Sequence, residues 1–187
     1  MNLKWVKRFL LVILLLIIIY VYVGNIGVIR DSIEQSVADK TVNELTQGNE
    51  VGQSFIYHQN NLSGVSIKLA TFMRVNEGKL KIGIRRINDK NDIYQTSVEA
   101  NSVRDNEFFD FRFPPIKFSK EQEYYVYIES LDSGKGESIA AYKSSMDSYK
   151  EGSLFINGSR QDGDLTFKVF YNRTIFNYIG EKWNINF

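Results

Sequence analysis

From Gly52 onward the chain changes face at every second residue, and this period of two most constrains what it can become. In "GVSIKLATF", Val65, Ile67 and Leu69 fall on one side, with Ser66, Lys68 and Ala70 on the other. "KLKIGIRRI" repeats the pattern with Leu80, Ile82 and Ile84. The stretch "FFDFRFPPIKFSKEQEYYVYIES" carries Phe109, Phe111 and Phe113 on one face, then sets Tyr125, Tyr127 and Glu129 against Tyr124, Val126 and Ile128. "SIAAYKS", "SLFI" and "LTFKVFY" add three more short segments of strand character. Residues two apart share one face of a strand, so the pattern predicts strands with one buried side. Segments such as "VNEG", "NDKND", "LDSGKGES" and "INGSRQDGD" punctuate them, at the spacing of roughly ten residues that marks an all-β sandwich. The expected fold is all-β, an antiparallel sandwich of about eight or nine strands. Its predicted core holds Phe109, Phe111, Phe113, Ile67, Leu69, Ile82, Ile84 and Phe167.

Two turns have specific chemistry. Asn157-Gly158 is a two-residue hairpin signal, because both residues tolerate positive φ. Pro114-Pro115 has no N–H to give a ladder, so it must end a strand or lie on a sheet edge.

The N-terminus is of another kind. Phe9 to Val23 is unbroken apolar sequence, and counting on through Ile29 gives a run whose helix would match a bilayer's hydrocarbon thickness of about 30 Å. Lys4, Lys7 and Arg8 precede it, which by the positive-inside rule predicts a cytoplasmic N-terminus and an extracytoplasmic remainder. The alternative, a cleaved signal peptide, lacks an Ala-x-Ala site; Gly24 and Gly27 flank bulky Ile26 instead. The expected organisation is a basic end at 1–8, a single-pass transmembrane helix at 9–29, a stalk at 30–47, the sandwich at 48–171 and an amphipathic tail at 172–187. Ile29, Ile33 and Val37, four apart, predict that the helix continues into the stalk. Phe176, Ile179, Trp183 and Phe187 suit a short amphipathic helix in the tail, or a final strand followed by a disordered end, packed on the sandwich or resting on a membrane or partner. The lipid bilayer is thus one expected partner, through residues 9–29.

Composition then removes classes of function. The chain has 23 basic and 22 acidic residues; without the three bases of the first eight positions, 20 face 22. No basic field remains for a phosphate backbone, so nucleic acid is not an expected partner. With no cysteine there is no disulfide, thiolate metal site or Cys nucleophile. His58 is the single histidine, and no nucleophile elbow or H-E-x-x-H surrounds it. Asp105, Glu107 and Asp110 are the nearest thing to a carboxylate cluster, in a place where acids usually serve turns. Asp162-Gly163-Asp164 lacks the ligand spacing of a calcium loop and reads as a turn. No catalytic residue, metal site or cofactor is expected.

Several blocks, in order, resemble a known domain type. "VGQSFIYHQNNLSGVSIKLATFMRVNEGKLKIGI" has a "GQSF" first strand and "LSGV" entering the second; F-x-F-P-P-I precedes a tyrosine strand in "NEFFDFRFPPIKFSKEQEYYVYIES"; "GDLTFK" lies near the end of "GSLFINGSRQDGDLTFKVFY". Over residues 45–171 the chain resembles the extracytoplasmic jelly-roll, galactose-binding-like sandwiches attached to bacterial cell-envelope membrane proteins, including glycosyltransferase-like ones. The resemblance implies a jelly-roll-like, non-catalytic module in the envelope that binds glycan or assists polysaccharide assembly. A structural protein docking to a polytopic membrane subunit, without touching sugar, is the other reading. No sugar-binding motif carries over residue by residue. Tyr94, Tyr142, Tyr149 and Asn157 are the expected ligand contacts, because each lies in or beside a turn, where a rigid sandwich presents its binding groups.

Overall fold

The computed structural model describes residues 3–25 and 27–183. They form two compact units, one from the described residues of 1–30 with 172–187, the other from 31–171.

The larger unit is a sandwich of two antiparallel sheets. Its strands are β1 (Gly27–Gln35, shared with the smaller unit), β2 (Lys40–Thr41), β3 (Glu50–Tyr57), β4 (Leu62–Ala70), β5 (Lys79–Arg86), β6 (Tyr94–Glu99), β7 (Glu107–Ile116), β8 (Gln122–Ser130), β9 (Ala140–Ser144), β10 (Leu154–Ile156), β11 (Ser159–Gln161), β12 (Asp164–Leu165) and β13 (Phe167–Thr174, likewise shared). One sheet has seven strands, ordered β1-β13-β4-β9-β12, with β2 on β9 and β7 on β4. The six-stranded sheet is ordered β11-β10-β3-β8-β5-β6. The count exceeds the expected eight or nine because β1, read from the sequence as helix and stalk, and the two- or three-residue pieces β2, β11 and β12 add to it.

The inner faces follow the predicted parity. Ile67, Leu69, Ile82, Ile84, Phe111, Phe113 and Phe167 are buried, and Phe109, near the start of edge strand β7, is half-buried against the same core. Phe55 is the aromatic hub: its ring lies 5.9 Å from Tyr124, 6.0 Å from Phe167 and 6.3 Å from Tyr57. These are the offset and edge-on separations at which ring quadrupoles attract. The Asn157-Gly158 turn joins β10 to β11 with Ile156 opposite Ser159, and both turn residues have positive φ. Both prolines are exposed on β7, which among the described residues pairs only with β4. The β4–β7 register shifts between Leu62 and Gly64, opposite the stretch that holds them, as a strand without those N–H donors requires.

Two expectations need correction. The segment read as a stalk at 30–47 belongs to the sandwich. Gln35 is buried, its amide donating to Leu165 O at 3.0 Å, and Val42 and Leu45 enter the core with backbone bonds to Ala141 and Ile139. The spacing of Ile29, Ile33 and Val37 suggested helix, but a sheet edge beside β13 offers this backbone inter-strand hydrogen bonds that an isolated stalk helix would have to match unaided.

The second correction concerns the predicted span at 9–29. Helix α1 runs Leu3–Asn25, and Gly27–Ile29 are already strand. The apolar helical run therefore stops at Val23, about 22 Å from Phe9 at 1.5 Å per residue. Among the described residues no helix is long and apolar enough to cross a membrane. In the same unit the tail forms helix α2, Ile175–Trp183, capped by Thr174: its Oγ1 accepts from the Asn177 N–H, and its own N–H and O–H donate to Asn177 Oδ1. Phe176 rests 5.7 Å from Tyr20, whereas Tyr178 and Trp183 are exposed. Phe187 lies outside the described residues.

Candidate functional site

The outer face of the seven-stranded sheet is ordered by strand register. Residues of β4 that point away from the core are flanked by β7 on one side and by β13 and β9 on the other. Three rows result. Lys68 stands opposite Phe108 and beneath Tyr142, its Nζ 5.1 Å from that ring's centre. Ser66 stands opposite Asp110 and Lys168. Gly64 stands opposite Arg112 and Phe170.

Each row is tied across the strands. The Ser66 hydroxyl donates to Asp110 Oδ1 at 2.6 Å, and Arg112 donates to Asp110 Oδ2 at 2.9 Å. Lys168 reaches the Phe108 ring (4.8 Å) and pairs with Glu34 at 2.9 Å. Arg112 crosses over Gly64 to lie 3.4 Å from the centre of the Phe170 ring. A Cβ on Gly64 would meet Arg112 Cδ at 2.7 Å, so the crossing needs glycine there. Beside Phe108 a depression of about 220 Å³ opens, lined by Ser102, Arg104, Glu107, Phe108, Phe109 and Asp110. Phe108 and Tyr142 are part-exposed rings, each already in contact with an ammonium, amid hydrogen-bonding groups. Flat apolar faces bordered by fixed donors and acceptors are what sugar recognition uses.

The opposite outer face is closed on itself. Tyr125 and Tyr127 lie flat over Gly52 and Gly83, stacked 6.0 Å apart, with the Arg85 guanidinium over both rings. Their hydroxyls donate to Glu50 (2.7 Å) and Asp92 (2.6 Å). Burial first, then the acceptor carboxylates, push both phenols well above the usual tyrosine value. These rings are buried and not available for stacking.

The structure does not bring the four expected contacts together. Tyr94, on β6, is half-buried and stacked on Phe113 at 5.1 Å. Tyr149 packs edge-on against Phe167 and donates to Ile56 O; burial raises its phenol well above the ordinary value. Asn157, exposed at its turn, spends its side chain on neighbouring chain, accepting from the Glu50 N–H and donating to Asn49. Tyr142 alone stands on the ring-bearing face described above.

Other titratable candidates are occupied. His58 has Nε2 3.1 Å from Glu151 and Nδ1 3.2 Å from Glu121, and those two contacts, Glu151 foremost, raise its pKa. Asp105 accepts from the Thr71 N–H and hydroxyl; the backbone bond is the main cause of its lowered pKa. Asp164 is buried and accepts from Gln53, Ser148 N and Tyr149 N, so it anchors a turn. Among the described residues no group of three His, Cys, Asp or Glu is placed to hold a metal ion.

Phe108, Lys68, Lys168, Arg112 and Phe170 escaped the sequence reading. One signal was there: Phe108 is a ring on the polar parity of its strand, out of phase with Phe109, Phe111 and Phe113.

No family model and no curated protein matches this chain. Among solved structures, that of TmCBM61 in complex with β-1,4-galactotriose aligns over 71% of this chain and 90% of that one, at a TM-score of 0.35 and 13% identity. At that score the likeness says nothing about a ligand of this chain.

Proposed function

We propose that this protein is a non-catalytic glycan-binding module, held at a membrane through α1, whose sugar contacts lie on the outer face of the seven-stranded sheet. The observation that carries the reading is the first row: Phe108 and Tyr142, both part-exposed, flank Lys68 on a rigid sheet, with Asp110 fixed one row away. A ring that serves only the core would follow the inward parity; Phe108 does not, and Tyr142, packed in part against the core, also lends its ring to Lys68. Turnover is not part of the proposal, because both ring nitrogens of His58 are engaged by carboxylates and Asp105 and Asp164 are spent on backbone N–H groups. A shallow stacking site of this kind supports millimolar to micromolar affinity, roughly −4 to −8 kcal/mol. A glycan array probed with the full chain in detergent, beside Phe108→Ala and Tyr142→Ala, tests it. Both variants are expected to lose the wild-type signal, and an array with no wild-type signal would sink the reading.

The membrane part rests on α1, whose side chains from Phe9 to Tyr20 are all exposed in a continuous apolar stretch. Water is a poor solvent for so much apolar surface. By the positive-inside rule, the basic residues before it support a cytoplasmic N-terminus with the sandwich outside as part of this proposal. Resistance of the full chain to alkaline extraction from membranes, with a C-terminal tag open to protease on intact cells, is the expected result. Release into the alkaline supernatant would remove this part.

A second reading, docking to a membrane protein, is favoured by the β4–β5 loop. Met73 is 91% and Val75 80% exposed there, while Phe72 and Met73 both hold left-handed φ. Glu44, Asn76 and Ser138 O pin the intervening Arg74. Co-purification of a polytopic partner that Met73→Ser abolishes, with no glycan signal, would select this reading.

A further inference from the structure

We infer that the ligand of the Phe108–Lys68–Tyr142 row is an anionic glycan, whose sugar stacks on the rings and whose carboxylate or phosphate is taken by Lys68. The inference rests on the glycan-binding reading and adds the charge class. Its basis is the pairing of cations on this face. Lys168 is matched by Glu34 at 2.9 Å, Arg112 by Asp110 at 2.9 Å and Arg104 by Glu107 at 3.7 Å. Among the described residues Lys68 has no carboxylate; the Tyr142 ring is its charge-stabilising neighbour. It is half-buried between two aromatic side chains, where part of its hydration is lost. A ring offers an ammonium less than a carboxylate does, so the position favours an incoming anion.

The surroundings fit that anion. Asp110, the carboxylate one row away, is tied to Ser66 and Arg112, so its charge is compensated before a ligand arrives. The depression beside Phe108 gives the sugar room and has the largely exposed Arg104 in its lining. A neutral sugar would use the rings and leave Lys68 without a counter-charge. An acidic one satisfies both.

The test measures binding of the full chain in detergent micelles to neutral mannan, phosphomannan, polygalacturonate and, as a plain polyanion, polyglutamate. The two acidic glycans are expected to bind about tenfold or more tighter than mannan at low salt, with the advantage gone in 1 M salt, where the screening length is about 3 Å. Lys68→Gln should erase the advantage of the acidic glycans over mannan, and Lys68→Arg should keep it, which also shows that the position tolerates replacement. A preference for one acidic glycan assigns the anion as carboxylate or phosphate. Equal binding of mannan and the acidic glycans overturns the anionic assignment and leaves the glycan reading standing. Equal binding of polyglutamate, or an acid preference that survives in Lys68→Gln, overturns it as well. No binding to any of the three glycans removes the glycan reading itself.

Discussion

Arg112 and Phe170 come from strands on opposite sides of β4, yet the guanidinium carbon lies 3.4 Å from the centre of the ring. What lets them meet is the absence of a side chain at Gly64 between them. The pair shields Phe170 on an otherwise open face and sets Arg112 at the angle from which it holds Asp110.

Gly64→Ala should therefore act on two residues at once. The added methyl would meet Arg112 Cδ at 2.7 Å and the Phe111 carbonyl at 3.0 Å, and only the arginine can swing away. Overpacking of this kind costs about 1–3 kcal/mol. Denaturant unfolding should show that loss, and Arg112→Ala should show a smaller one, about 0.5–1 kcal/mol for an exposed cation–π pair. A larger loss in Arg112→Ala than in Gly64→Ala would contradict the geometry.

Phe111 is buried and edge-on to Phe113 at 5.3 Å. Phe111→Ala should cost about 3–5 kcal/mol. Phe109→Ala, at a half-buried position, should cost clearly less, and equal melting shifts in the two variants would count against the assigned depth.

Asp164 gathers the β12 end. Its carboxylate takes the N–H groups of Ser148 and Tyr149 at 2.7 and 2.9 Å and the Gln53 amide at 3.0 Å; the Gln53 bond is buried and the two backbone bonds are part-buried. Asp164→Ala leaves the buried Gln53 amide unmet, and about 1.5–3 kcal/mol should be lost, the contribution of one buried bond to a charged group. Added calcium should not alter the melting temperature of the wild type; a calcium-dependent rise would return the Asp162-Gly163-Asp164 turn to consideration as a metal site.

The pH response should centre on His58. Glu151 and Glu121 raise its pKa in the folded protein above the ordinary 6.5, so the folded state holds the proton more tightly than the unfolded chain. The contribution is fully present below pH 6.5 and fades as pH rises through the folded value. A melting series from acid to alkaline pH should show the wild type losing its advantage over His58→Gln on the alkaline side. Growth of that advantage with pH would reverse the sign and the assignment. The group is exposed, so the effect should be small.

Met73 holds φ of +57° next to Phe72 at +58°. Side chains with a Cβ are strained in that region by about 1–2 kcal/mol. Met73→Gly should thus melt no lower than the wild type and, if this loop docks to a partner, should lose the partner without losing the fold. A marked drop in melting temperature would show that the exposed methionine has a packing role.

Much of the architecture could be read from local pattern. Alternation along Val65–Leu69, Leu80–Ile84 and Phe109–Phe113 named the buried faces, since parity is a property of the strand alone. Asn157-Gly158 and the proline pair likewise carry their backbone geometry within themselves. Where local signals competed, the tertiary structure decided. Ile29, Ile33 and Val37 have helical spacing, but Gly27–Gln35 became a strand because β13 offered it an edge. Turn proximity singled out Tyr149 and Asn157, yet their polar atoms are used by Ile56, Glu50 and Asn49, partners dozens of residues away. The candidate site shows the limit most plainly. Lys68, Phe108 and Tyr142 are each ordinary in sequence, and they form a row only because β4 pairs with β7 in one register and with β9 in another. Parity tells which side a residue faces; register, fixed by long-range pairing, decides what stands beside it.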